Sequence, residues 1–136
     1  MNDINSSNGN DIDDTSDHDE ARPLAGSADD IRDLAQGVFD RVMAAHEEVD
    51  YSQLAPLLSP AMAEALDEAT FETIIADHLA TLGDLEGTDY LGSLHKGNAT
   101  QLLWRARYSG SEAEVLWQLF LARVGDKVEI GGLLFS

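Results

Sequence analysis

The sequence predicts an α+β domain in which helices come first and pack on a curved four-stranded antiparallel sheet. Three observations carry this reading. Apolar residues recur at helical spacing from Ile31 to Leu82. After Gly83 the apolar period falls to two. Residues 101–124 then contain a hairpin whose two faces separate by chemistry. On one arm Arg105 and Arg107 alternate with Trp104 and Ala106, and on the other Glu112 and Glu114 alternate with Ala113 and Val115. A turn at Ser109-Gly110 sets Arg107 opposite Glu112, Arg105 opposite Glu114 and Trp104 opposite Val115. Charges then meet on one face and apolar groups on the other.

Residues 1–26 read as a disordered acidic tail and linker. Asn, Asp, Ser and Gly dominate, and Ile4, Ile12 and Leu24 are too sparse to bury anything. Asp3, Asn5 and Ser7, and again Asp11 and Asp13, have the alternation of a calcium loop. Neither run has glycine at the sixth position or paired flanking helices. The domain spans 27–136. Ser27 followed by Asp30 is an aspartate version of the capping box. It opens a helix over 28–48, with Ile31, Leu34, Ala35, Val38, Val42, Ala45 and Val49 along one stripe and Phe39 widening it. Gly37 inside that helix costs about 1 kcal/mol against alanine; it either admits a close neighbour or is tolerated. Asp50 and Gln53 cap a short helix over 51–58. Ser59-Pro60 starts another, with proline at the first helical position. Thr70 starts a third long stripe, Phe71, Ile74, Ile75, His78, Leu79 and Leu82, which Gly83 stops.

Strands follow at 88–95, 99–108, 112–124 and 127–135, with turns at Gly97-Asn98, Ser109-Gly110 and Gly125-Asp126. The last turn sets Leu121 opposite Ile130, Leu119 opposite Gly132 and Trp117 opposite Leu134. Gly131-Gly132 inside a strand points to crowding or a bulge. The first turn leaves open which face Tyr90, Leu94 and His95 occupy. The inner face collects Leu102, Trp104, Val115, Trp117, Leu119, Leu121, Val128, Ile130 and Leu134, with Gly132 leaving space above it. The outer face mixes Arg105, Arg107, Glu112, Glu114 and Gln118 with Leu103, Leu116, Phe120, Leu133 and Phe135. A solvated face should be mostly polar. The last five residues therefore form a candidate interface with a second copy of the chain.

The 136 residues suit one domain with one core. With no cysteine, disulfides and thiolate metal sites are excluded. No apolar run is long enough to span a membrane, and the first residues lack the basic and apolar regions of a signal peptide, so the expected location is the cytoplasm. The net charge of −18 is uneven. Residues 1–26 carry seven acids against Arg22, 27–84 carry thirteen against Arg32 and Arg41, and 85–136 carry six against five bases. Such a field repels nucleic acid and anionic lipid, so neither is an expected partner. It leaves room for a solubilising role, for an acidic decoy that imitates DNA, or for a basic protein partner.

The chain offers little chemistry. His18 lies in the tail, His46 flanks the first stripe beside Glu47 and Glu48, His78 is on a buried helical face, and His95 is at a strand end. No two are spaced i,i+4, so no metal site is predicted. No nucleophile elbow, phosphate loop or nucleotide fingerprint is present, and no cofactor is expected. A lone helical histidine on an apolar face is ordinarily a packed residue with one hydrogen bond. His78, Trp104, Trp117 and Gly132 are the candidates to line a pocket between helices and sheet; no residue is assigned as catalytic.

Two stretches carry a family resemblance: Asp50-Tyr51-Ser52-Gln53-Leu54-Ala55-Pro56-Leu57-Leu58-Ser59-Pro60, and the strand pair over 115–132. With the order of helices before long strands, they resemble the nuclear transport factor 2-like, or cystatin-like, superfamily, and within it small bacterial members of unassigned role. The resemblance covers most of 27–136. It implies a half-barrel cone, a pocket between sheet and helices, and frequent dimerisation through the sheet. Family enzymes place Asp, His or Tyr groups in that pocket, but no such set matches here, and the strand common after the first helix has no counterpart. The expected function is a non-enzymatic binding or accessory domain, homodimeric, with a pocket open to a small apolar ligand. The alternatives are an isomerase or dehydratase using His78 near Asp77, which needs a buried carboxylate or tyrosine beside His78, and an acidic protein-interaction module.

Overall fold

Ser27 opens the first helix as its sequence requires. In the computed structural model, which describes residues 20–136, its hydroxyl accepts from the Asp30 N–H while the Asp30 carboxylate accepts from the Ser27 N–H. Helix α1 (Ala28–Glu48) buries Ala35, Phe39, Val42, Met43, Ala45 and His46. The apolar stripe stops there. Val49, expected to extend it, is instead a left-handed cap with φ 52° and is 39% exposed. Gly37 has open space where a side chain would stand, so it is tolerated rather than required by a neighbour.

The short helix predicted over 51–58 is two 3-10 turns, Tyr51–Gln53 and Ala55–Leu57. Pro56 lacks the N–H that an α-helix would donate back to Ser52, and this divides the segment. Asp50 still caps it, accepting from the Ser52 N–H. Ser59 caps α2 (Pro60–Ala65) as its sequence predicts. Helix α3 (Glu68–Leu82) starts two residues before Thr70, because the Asp67 carboxylate accepts from the Thr70 N–H; Gly83, at φ 81°, ends it.

Among the described residues five strands form one curled antiparallel sheet, a half-barrel with the helices on its concave side. They are β1 (Ala21–Arg22), β2 (Leu85–Lys96), β3 (Ala99–Tyr108), β4 (Val115–Val124) and β5 (Lys127–Phe135). The four long strands lie in sequence order, and the two-residue β1 pairs with the far end of β4. Leu58 and Ile130 bridge α2's lead-in to β5. The segment read as a linker therefore belongs to the fold. Leu24 is 7% exposed in the core, and its N–H donates to the Thr100 hydroxyl at 3.0 Å. The remaining tail, with His18 and the calcium-like runs, lies outside the described residues.

Two registers differ from expectation. Trp104 pairs with Trp117 and Ala106 with Val115, two residues beyond what a Ser109-Gly110 turn gives. Residues 109–114 form a loop instead, with the Gly110 N–H donating to the Leu82 carbonyl at 2.7 Å and the Ser109 N–H to Asp84. A shift of two preserves the faces, so both tryptophans point inward. Arg105 and Arg107 both bind Asp89 on β2, at 3.0 and 2.6 Å; the expected Arg105–Glu114 ion pair is also present, at 3.7 Å.

The last hairpin begins as predicted, with Val124 opposite Lys127 and Leu121 opposite Ile130. A bulge at Gly131 then shifts the pairs to Phe120–Gly132, Leu119–Leu133 and Trp117–Phe135. One extra residue exchanges the two faces of everything after it. Leu133 and Phe135, assigned to the outer interface, pack into the core, whereas Gly132 and Leu134 face outward. The Phe120 ring covers Gly132, where an added methyl would stand 2.9 Å from it. In the first hairpin a two-residue turn at Gly97-Asn98 and a bulge at Leu91 set Tyr90 against Trp104 at 5.5 Å between ring centroids, and Leu94 outward.

Candidate functional site

Four polar-edged rings meet where the C-terminal end of α1 crosses the sheet. His46 comes from α1, Tyr108 from the end of β3, Trp117 from β4 and His78 from α3. His46 is 1% exposed. The Trp117 indole N–H donates to the Tyr108 hydroxyl at 3.2 Å, and the same hydroxyl lies 3.2 Å from His46 Nε2. Indole can only donate, so the phenol oxygen accepts there and its own proton is free to go to Nε2. The reverse assignment would strand both the phenol proton and the His46 Nδ1 lone pair. The first leaves only one group unmet, the Nδ1–H of His46, and is the arrangement that buried polar groups favour.

Nothing in the described residues bonds His46 Nδ1 or His78 Nδ1. Burial, with the nearby His78 adding to it, lowers the His46 pKa to about 4, so its ring is neutral at neutral pH. Burial also lowers that of His78, against the opposing pull of Asp77. The His46 and His78 ring centroids are 6.0 Å apart, and His78 stands edge-on to Phe135 at 3.7 Å. A cavity of about 70 Å³ lies between the sheet and the helices, lined by Val42, His46, Leu54, Met62, Leu66, Phe71, Ile74, Ile75, Trp117, Leu133 and Phe135. His46 and the Trp117 indole are its only polar rings.

Of the residues predicted to line such a pocket, Trp117 does so. Trp104 is instead filled against α1, stacked on Phe39 at 4.0 Å with its indole N–H donating to Gln36. His78 packs beside the cavity wall through Phe135. Gly132 is on the other face of the sheet. His46, expected beside the first stripe, is buried in it, and neither His46 nor Tyr108 was among the residues expected to line the pocket, yet their positions carried a signal. His46 is seven residues after Phe39 and four after Val42, and Tyr108 shares strand parity with Leu102, Trp104 and Ala106.

The convex face presents a second candidate. Leu103, Leu116 and Phe120 are half-buried, Leu94 is 49% exposed and Leu134 is 53% exposed. Between them Gln101 donates to Gln118 at 2.6 Å, an uncharged pair. At one end Arg105 and Arg107 are balanced by Asp89 and Glu114, and the hydrogen bonds from Arg107 and Arg105 hold the Asp89 carboxyl below the usual range. At the other end an open depression of about 710 Å³ runs along the β4–β5 bulge and over the sheet edge to Met62.

Among the described residues, no three His, Asp or Glu side chains gather as metal ligands, and no helix is long and apolar enough to cross a membrane. Comparison with protein families, with curated proteins and with solved structures returns no match.

Proposed function

We propose that the chain is a non-enzymatic binding or accessory domain of the cytoplasm that works as a homodimer joined through the convex faces of its two sheets. The carrying observation is that face: apolar at Leu94, Leu103, Leu116, Phe120 and Leu134, and charge-balanced, on a molecule of net charge −18. Two such molecules repel nearly everywhere else. Residues 85–136 carry six acids and five bases, so the sheet is where two copies approach without like charges opposed. The half-barrel is also the architecture implied by the resemblance to the nuclear transport factor 2-like superfamily, of which we propose the chain is a divergent member.

An isomerase or dehydratase has less support. Its base, His78, has no partner at Nδ1 among the described residues, and the tyrosine that such chemistry would call on lies on His46 instead. Light scattering after gel filtration tests the dimer. The wild-type chain runs at twice its mass at micromolar concentration, and Leu134→Glu or Phe120→Glu runs at the monomer mass with an unchanged far-UV spectrum. A wild-type protein that is a monomer throughout that range refutes the reading.

A further inference from the structure

The open depression on the convex face lies where the described chain begins. Ala99, Phe120, Ala122 and Leu134 line it around the bare backbone of Gly131 and Gly132, and Ala21 forms part of its wall. Ala21 pairs with Val124 at the end of the sheet, so residues 1–19, outside the described residues, attach through Glu20 at the rim. Both lysines of the chain stand on this face. Lys96 lines the depression, and Lys127 pairs with Val124, which lines it too. The one acid in the walls is Glu129. Neither lysine has an ion pair among the described residues. Arg22 and Arg123, paired directly across β1 and β4, add two cations at the same end of the sheet. Like charges opposed in this way are destabilising, and an anion nearby relieves them.

Charge and reach select the occupant. Residues 1–19 carry six aspartates and no lysine or arginine. The region over 27–84, with thirteen acids and two bases, repels such a segment, whereas the lysine-bearing end of the sheet attracts it. Ile12 stands nine residues before Ala21. Its reach of up to ~30 Å exceeds the ~10 Å from β1 across β4 to β5. The volume of about 710 Å³ lies within the ~300–1,000 Å³ of ordinary ligand sites, and an isoleucine placed there leaves water. A second copy would bring its own acidic charge from solution, but a tethered segment is present at roughly millimolar effective concentration. We infer that residues 1–19 fold back into the depression of their own chain, with Ile12 against Phe120 and Leu134 and the flanking Asp11 and Asp13 towards Lys96 and Lys127. Phe120 and Leu134 also belong to the face proposed for the dimer, so on that reading the segment competes with the partner copy for them.

The test is a NOE spectrum of the full chain, protonated only at isoleucine methyls and phenylalanine rings. Ile12 gives a cross-peak to the Phe120 ring, and the peak disappears when Lys96→Glu is combined with Lys127→Glu. A mixture of copies protonated only at isoleucine with copies protonated only at phenylalanine gives no such peak, because the contact is within one chain. Ile12→Ser keeps the net charge, so repulsion between copies is unchanged, and with the competitor weakened the dimer tightens about fivefold in sedimentation equilibrium. Absence of the Ile12–Phe120 peak, its survival in the double lysine variant, or its appearance in the mixed sample each overturn the docked segment. A dimer no tighter in Ile12→Ser overturns the competition. A wild-type monomer that still shows the peak removes the dimer and leaves the docked segment standing, so the two readings fail separately.

Discussion

Burial without a charged partner fixes how His46 answers to acid. Its folded pKa, about 4, lies below the ~6.5 of an unfolded histidine, so between these values the unfolded chain takes a proton that the folded chain refuses. The stabilisation is complete above pH 6.5 and is lost as the pH falls towards 4, about 2 kcal/mol of it by pH 5. His78 acts in the same direction. Asp50, Asp67 and Asp89 have lowered pKa values, so what they contribute persists until the pH drops below the ordinary carboxylate range. The interval from 4 to 6.5 thus belongs to the histidines. Urea midpoints fall between pH 7.5 and pH 5 in the wild type and flatten by one proton's worth in His46→Asn. On the opposite, solvated side of α1, Gly37→Ala adds a methyl to empty space and raises stability by about 1 kcal/mol, read as a higher thermal midpoint. The sequence shows that Gly37 is an anomaly without showing which kind, because the space around a position is a property of the neighbours. The same limit hid the His46–Tyr108 bond: spacing puts each ring on the inner side, but their meeting depends on how α1 crosses the sheet.

Most of the elements that a local rule decides were legible. The caps at Ser27, Asp50 and Ser59, the stop at Gly83 and the turns at Gly97-Asn98 and Gly125-Asp126 are local, and the structure has them all. Two misses were local, the division of 51–58 at Pro56 and the Asp67 cap that starts α3 ahead of Thr70; the others came where a distant element intervenes. The loop over 109–114 follows the end of α3 rather than closing as a tight turn, with Gly110 against the Leu82 backbone. A methyl at Gly110 would stand 2.7 Å from the Leu82 carbonyl oxygen, an atom that cannot swing aside. Gly110→Ala therefore costs about 2 kcal/mol, measured by chemical unfolding. The two glycines at 131–132 pointed to crowding or a bulge, but not to which pairs a bulge would displace. Its consequence, the exchange of Leu133 and Phe135 for Gly132 and Leu134 between faces, needed the register itself.

At the scale of the molecule, the order of helices before a curled antiparallel sheet followed from the change of period at Gly83. The start of the domain did not. A single leucine in a polar run carries no periodicity, yet Leu24 reaches the core because β1 aligns it beside Thr100. Leu24→Ala consequently lowers the unfolding free energy by about 2–3 kcal/mol, where a residue in a loose tail would change nothing. The uneven distribution of acid has a kinetic sequel. Residues 27–84, mostly helical, carry thirteen acids and two bases, while the sheet behind them is almost neutral. Each molecule is thus an electric dipole as well as a polyanion, and two that diffuse together are turned by their own fields until the neutral sides lead. Their repulsion is felt over roughly a screening length of ~8–10 Å in physiological buffer. Added salt shortens it, so association into the proposed dimer should run faster in concentrated brine than in dilute buffer, the reverse of what attraction between opposite charges produces.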